Sequence, residues 1–170
     1  MDASAFLALV LACAPQVHAE TARALVSVES AFNPWSIGVV GGALTRQPRD
    51  RGEALATARA LQAAGWNFSV GLSQINISNL QRLGLQIEHA FEPCANLAAM
   101  QTLLTECLDR APASAESPWR SQAALRQALS CYYSGNFITG FRHGYVRKVV
   151  AAATTSPLSI PIPTPKEKKA

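Results

Sequence analysis

Residues 20–35 read Glu20-Thr21-Ala22-Arg23-Ala24-Leu25-Val26-Ser27-Val28-Glu29-Ser30-Ala31-Phe32-Asn33-Pro34-Trp35, and this stretch decides the fold class. Ala22, Leu25 and Val26 recur at the three- and four-residue spacing of an amphipathic helix. The periodicity predicts a helix over about 17–31, ended by Asn33-Pro34 because a residue before proline is pushed out of the helical region. Glu29 continues the apolar stripe, three residues after Val26 and four after Leu25. A carboxylate placed there loses water, which favours its neutral form and raises its pKa. A carboxylic acid that keeps its proton near neutral pH is what general acid catalysis requires. The competing reading is a surface glutamate that turns to water at the helix end. The break at Ser30 to Trp35 follows Glu29 at once, so the carboxyl can face a cleft rather than a packed core.

Working outward, the same periodicity predicts helices over about 4–13, 52–64, 73–83, 96–110, 121–133 and 141–153. The helix near 96–110 carries Leu97, Met100, Leu104, Cys107 and Leu108 on its buried stripe, and that near 52–64 carries Ala54, Leu55, Ala58 and Leu61. Trp35 to Leu44 alternates weakly around Val40-Gly41-Gly42 and reads as a small hairpin. Gln47 to Arg51 and Asn67 to Gly71 read as loops, and residues 111–120 as a linker. The expected architecture is mainly α, an α+β domain over 1–153 with a small hairpin and an active-site cleft. A Pro/Lys-rich extended tail follows over 154–170.

Composition agrees with one folded domain. The chain has 170 residues, 49% of them hydrophobic and 15% charged, with a net charge of +4. That excludes intrinsic disorder for the body of the chain, and no apolar run reaches the roughly 20 residues of a membrane-spanning helix. Lys166, Lys168 and Lys169 hold much of the excess charge in the last five residues. No basic stripe interleaved with aromatics points to nucleic acid.

Ala5 to Ala14 is apolar, and Val17-His18-Ala19 resembles a signal cleavage site. However, Met1-Asp2-Ala3-Ser4 carries an acid where a signal peptide has Lys or Arg. Cleavage after Ala19 would also cut into the helix that bears Glu29. A short buried helix is the preferred reading, with any signal lying upstream in the natural gene. The four cysteines are Cys13, Cys94, Cys107 and Cys131. An even number suits an oxidising compartment, against the alternative of four buried thiols. There is no C-x-x-C pair, and His18, His89 and His143 are scattered, which argues against zinc. Cys94 and Cys107 bracket a helix and stand about 20 Å apart at 1.5 Å per residue, too far to bridge. Antiparallel helices at 96–110 and 121–133 would pair Cys94 with Cys131, leaving Cys13 with Cys107.

Two other segments bear on function. Gly71-Leu72-Ser73-Gln74-Ile75-Asn76 is a glycine turn leading to amides, whose donors and acceptors suit sugar hydroxyl and N-acetyl groups. Tyr132 lies on the stripe of its helix with Leu125, Ala128 and Leu129. It reads either as a core tyrosine or as a hydroxyl beside the acid.

With these residues in place, the sequence resembles a family. Glu29-Ser30-Ala31-Phe32-Asn33-Pro34, Gly71-Leu72-Ser73-Gln74-Ile75 and Tyr132-Tyr133-Ser134-Gly135 look like the three ordered motifs of lytic transglycosylases with a lysozyme-like domain. Phe91-Glu92-Pro93-Cys94-Ala95-Asn96-Leu97 and Gly140-Phe141-Arg142-His143-Gly144-Tyr145 bring it closer to one branch, the peptidoglycan-cutting subunit of type IV secretion and conjugation machines. The resemblance covers about residues 10–150. It implies Glu29 as catalytic acid and base, and Ser30, Ser73, Gln74, Asn76 and Tyr132 as substrate contacts, with Tyr132 orienting Glu29 or the glycan. Ser73 departs from the methionine of many relatives, and Tyr133 from the commonest asparagine. The implied reaction cleaves the β-1,4 bond between N-acetylmuramic acid and N-acetylglucosamine and closes a 1,6-anhydro ring, with no metal or cofactor. The implied setting is periplasmic, with glycan strands as substrate and the tail as a place for secretion-system components to dock. Two readings compete: a hydrolytic muramidase using Asp50 or Glu53 as a second carboxylate, and a non-catalytic peptidoglycan-binding assembly module.

Overall fold

The computed structural model describes residues 3–112 and 121–154. Among them are nine helices and three short strands. The expected 113–120 part of the linker and the 155–170 part of the tail lie outside the described residues.

The helices are α1 (Ala3–Cys13), α2 (Ala19–Ser30), α3 (Arg51–Ala63), α4 (Ile77–Arg82), α5 (Ile87–Ala90), α6 (Pro93–Asp109), α7 (Gln122–Ser134), α8 (Thr139–Arg142) and α9 (Tyr145–Thr154). The centre is α6. Pro93 occupies its first turn, where the missing N–H costs nothing. Leu97, Met100, Leu104, Cys107 and Leu108, the predicted stripe, are all buried, joined by Asn96, Ala99 and Leu103. They share one core with Leu25 and Val26 of α2, Ala128 and Leu129 of α7, and Val146 and Val149 of α9. Each such aliphatic side chain contributes about 1.5–3 kcal/mol by burial. α1 packs as the sequence suggested: Phe6 and Val10 are buried, and the Phe6 ring meets Phe32 edge-on at 5.1 Å just beyond α2. No helix among the described residues is long and apolar enough to cross a membrane.

The strands depart from expectation. β1 (Ile37–Val39) does not fold back across Gly41-Gly42. It pairs antiparallel with β2 (Phe68–Val70), which pairs antiparallel with β3 (Ile75–Asn76). Ile37, Val70 and Ile75 come into one buried row across the sheet. That row explains why β1 waits for a partner beyond α3. The hairpin is β2–β3, inside the segments expected to be a loop and a helix. The open edge of β1 is closed by a side chain: Gln47 accepts from the Ile37 N–H at 2.8 Å and donates to the Ile37 carbonyl at 2.9 Å. The expected 73–83 helix starts only at Ile77, after Asn76 has capped it by accepting from the Ser78 N–H. The expected 141–153 helix is two, split where Gly144 takes φ +73°.

The disulfide expectation is corrected. The bridges are Cys13–Cys94 and Cys107–Cys131. Cys107 and Cys131 lie near the C-terminal ends of their helices, yet their Cα atoms are 5.7 Å apart. α7 therefore crosses the C-terminal half of α6 instead of running back along it to Cys94. That leaves Cys94, at the start of α6, to clasp the end of α1.

Candidate active site

α2 ends abruptly beside Glu29. Ala31 and Phe32 both adopt left-handed backbone, at φ 50° and 63°, a conformation that costs non-glycine residues about 1 kcal/mol or more. The Asn33 N–H closes on the Ser30 carbonyl, and the Asn33 side chain accepts from the Trp35 N–H at 3.0 Å. The chain is thereby turned out of the helix within one turn of Glu29. Ser30 spends its hydroxyl on the Val26 carbonyl of its own helix; it does not line the cleft.

The Glu29 carboxyl is held by a tyrosine to which the sequence assigned no role. Tyr145, in the first turn of α9 and buried, donates its hydroxyl to Oε1 of Glu29. Burial raises the Glu29 pKa from 4.5 to about 7, and the Tyr145 hydrogen bond partly opposes the rise. Burial and the nearby Glu29 charge push the Tyr145 hydroxyl well above its ordinary value, so it remains a donor. Tyr133 stacks on Tyr145 with ring centroids 4.5 Å apart, and its hydroxyl lies 3.3 Å from Nδ1 of His143. The sequence signal for Tyr145 was slight: an aromatic hydroxyl beside Val146 on the buried side of a helix.

Glu29 opens on a cleft of about 700 Å³ between the sheet and α7–α8. Asn67, Ser69, Gln74, Asn76, Asn79 and Thr139 give it polar walls suited to sugar hydroxyls and amides. Of the predicted contacts, Gln74, Asn76 and Tyr132 line it with Glu29, whereas Ser30 and Ser73 do not. Gln74 stands at φ +49° and spends both amide hydrogens on the Ser36 and Gly71 carbonyls, leaving Oε1 over Gly38. Asn76 donates to Oδ1 of Asn67 at 2.7 Å, besides capping α4. Tyr132 does not bond Glu29. Its hydroxyl donates to the Ser73 carbonyl at 2.7 Å and locks α7 onto the glycine turn.

That turn rests on a residue hidden in the motif. Asn96 is buried; its amide donates to the Val70 and Ala90 carbonyls at 3.0 and 2.8 Å and accepts from the Ser73 N–H at 2.7 Å. Gly71, at φ +80°, cannot carry a side chain: a Cβ would lie 2.2 Å from Nδ2 of Asn96. Ser73 is wholly buried, with its hydroxyl unpartnered.

Glu29 is the one carboxylate lining the cleft among the described residues. Asp50 caps α3, accepting from the Glu53 N–H at 2.9 Å. Glu53 is gripped by Arg46 and Arg49, each at 2.7 Å, which holds its carboxyl far below the usual range. Both acids tie down the 46–53 loop, and neither reaches the cleft. No three His, Cys, Asp or Glu side chains among the described residues stand close enough to hold a metal ion.

Comparison with known proteins gives the family. The model of the transglycosylase SLT domain matches residues 7–151. The chain belongs to the transglycosylase SLT domain family. Within it, the chain is similar to the type IV secretion system protein virB1 of Brucella suis biovar 1 (strain 1330), 48% identical over 162 residues, which span 91% of this chain and 67% of that protein. The virB1 of Brucella melitensis biotype 1 matches to the same extent. Protein virB1 of Rhizobium radiobacter is 39% identical over 141 residues, 83% of this chain and 57% of that protein. No solved structure matches the chain. Family membership agrees with the mainly helical, lysozyme-like domain expected from the sequence.

Proposed function

We propose that this chain is a peptidoglycan lytic transglycosylase of the periplasm that opens the cell wall locally for a type IV secretion or conjugation apparatus. The observation that carries the chemistry is the lone cleft carboxyl of Glu29, protonated up to about pH 7 and aimed by Tyr145. The relatives support the setting, since they are type IV secretion system proteins.

One carboxyl suffices for the reaction. Glu29 gives its proton to the glycosidic oxygen as the bond from the muramic acid anomeric carbon breaks. The departing N-acetylglucosamine leaves with a hydroxyl, and the acetamido oxygen of the muramic acid stabilises the positive centre. Glu29, now a carboxylate, removes the proton of the muramic acid 6-hydroxyl as that oxygen bonds to the anomeric carbon. The 1,6-anhydro ring closes, the Glu29 proton is restored, and no water is consumed. A pKa near 7 lets one group serve both half-steps. Gln74, Asn76 and Tyr132 line the sugar sites, and Tyr132 acts by fixing the turn opposite the acid. The 154–170 tail is a docking segment for the partner apparatus in this reading.

Digestion of purified peptidoglycan by wild type and Glu29→Gln, read by mass spectrometry, tests the proposal. Anhydromuropeptides, one water lighter than reducing-end products, are expected from wild type only. Reducing-end products would overturn it in favour of a hydrolase. The position of Asp50 and Glu53 outside the cleft weighs against that second reading, and Asp50→Asn is expected to leave the products unchanged.

A further inference from the structure

Charge is distributed unevenly over the fold. Arg23, Arg46, Arg49, Arg51, Arg59 and Arg82 each meet a glutamate. Beyond Asp109 the described residues contain no acid, yet they carry Arg110, Arg126, Arg142, Arg147 and Lys148. None of these five has a carboxylate partner within ion-pair distance among the described residues.

Arg142 and Arg147 meet at a corner of the cleft. The bend at Gly144, between α8 and α9, brings them to one hollow of about 200 Å³, lined also by Phe141 and His143. The Arg147 guanidinium folds back over Gly144, where a Cβ would lie 3.4 Å from Nη2. His143 lines both this hollow and the cleft of Glu29, so the hollow borders the cleft. Phe141 is 46% exposed at the rim. Arg142 and Arg147 both line this hollow, exposed and without a carboxylate partner among the described residues. A carboxylate satisfies both, with the planar fork that arginine offers to such groups.

The cleft walls are neutral and suit neutral sugars; the acids of peptidoglycan are on the short peptide carried by the lactyl ether of muramic acid. We infer that the Arg142–Arg147 hollow is a carboxylate subsite for that peptide, so that peptide-bearing glycan is preferred over bare glycan. This rests on the glycan reading of the cleft given above.

The test is equilibrium binding to the Glu29→Gln protein, which separates recognition from cleavage. The probes are soluble glycan oligomers with their peptides and the same oligomers stripped by an amidase, with the lactyl carboxylate that the hydrolysis leaves blocked as its methylamide so that the bare glycan carries no acid. Peptide-bearing oligomers are expected to bind roughly three- to tenfold tighter, the worth of two partly exposed ion pairs. Adding Arg142→Gln and Arg147→Gln is expected to bring the ratio to about one, while adding Arg126→Gln, which removes a charge on α7 away from the hollow, leaves it unchanged. A ratio that persists in the Arg142/Arg147 variant, or is absent at the outset, overturns the subsite and leaves the glycan cleft standing. Failure of both oligomers to bind overturns the glycan reading itself, and the subsite with it. If the variant does not fold, salt decides: a preference undiminished at about 1 M, where screening acts over about 3 Å, refutes an ionic subsite.

Discussion

The hydroxyl of Tyr145 donates to Oε1 of Glu29 across 116 residues of sequence, joining the start of α9 to the end of α2. Arg23 makes a second tie between these helices, donating to the Ala152 carbonyl at 2.8 Å. Glu29 thus has one defined orientation although it sits in the last turn of its helix. Tyr132 and Tyr133 face the pair from α7, and His143 stands behind Tyr133.

Tyr145→Phe is expected to lower kcat by about 10- to 100-fold, a part of the roughly 10²–10⁴-fold that a positioned acid contributes. The pH profile separates positioning from mere packing. The hydrogen bond lowers the Glu29 pKa against burial, so its removal moves that pKa above about 7. The acid must be protonated to act, so the alkaline limb of kcat/KM is expected to shift to higher pH. A reduced rate with an unmoved limb would assign Tyr145 a structural role alone.

Glu29→Gln is expected to change the pH dependence of stability. Unfolded, the carboxyl ionises near 4.5; folded, it holds its proton to about pH 7. The native state therefore binds more protons between these values, and wild-type stability falls as pH rises through that window. The full shift corresponds to at most about 3 kcal/mol. Denaturant titrations at pH 4.5 and 8 are expected to show wild type losing stability relative to Glu29→Gln. Parallel changes in both proteins would mean that Glu29 is not desolvated.

Asn96 and Ser73 make opposite predictions from adjacent atoms. Asn96→Ala strands the Val70 and Ala90 carbonyls and the Ser73 N–H in the core, at about 1–3 kcal/mol for each unsatisfied group. Ser73→Ala removes a buried hydroxyl that has no partner, so stability is expected to hold or rise by up to about 1 kcal/mol. Thermal melts of the two variants check both. A stability loss in Ser73→Ala equal to that of Asn96→Ala would show that the hydroxyl is bonded after all.

The helices were legible because apolar spacing acts within a helix: the α6 stripe and the placement of Glu29 follow from local periodicity. The sheet was not, because β1 finds its partner only after α3, and no local pattern in Trp35 to Leu44 points to Phe68. The same limit hid Tyr145. Its partner lies on another helix, and a tyrosine beside valines reads as core. Tyr132, on an equally apolar stripe, drew attention through its motif, yet its hydroxyl serves the backbone of the glycine turn.

The disulfides show that limit most sharply, and they give the last prediction. Helix spacing correctly separated Cys94 from Cys107, but a two-helix picture could not foresee that α7 crosses α6. Peptide mapping without reductant is expected to recover Cys13–Cys94 and Cys107–Cys131. In a chain-entropy model a bridge closing 81 residues of separation contributes about 4.5 kcal/mol, and one closing 24 contributes about 3.5 kcal/mol. The double serine variant of Cys13 and Cys94 is therefore expected to lose more stability than that of Cys107 and Cys131. It should also loosen α1, since Phe6 and Val10 are held against the core by a helix whose end that bridge secures. Proteolysis confined to α1 in the first variant but not the second would bear this out; recovery of a Cys13–Cys107 peptide would overturn the crossing of α6 and α7.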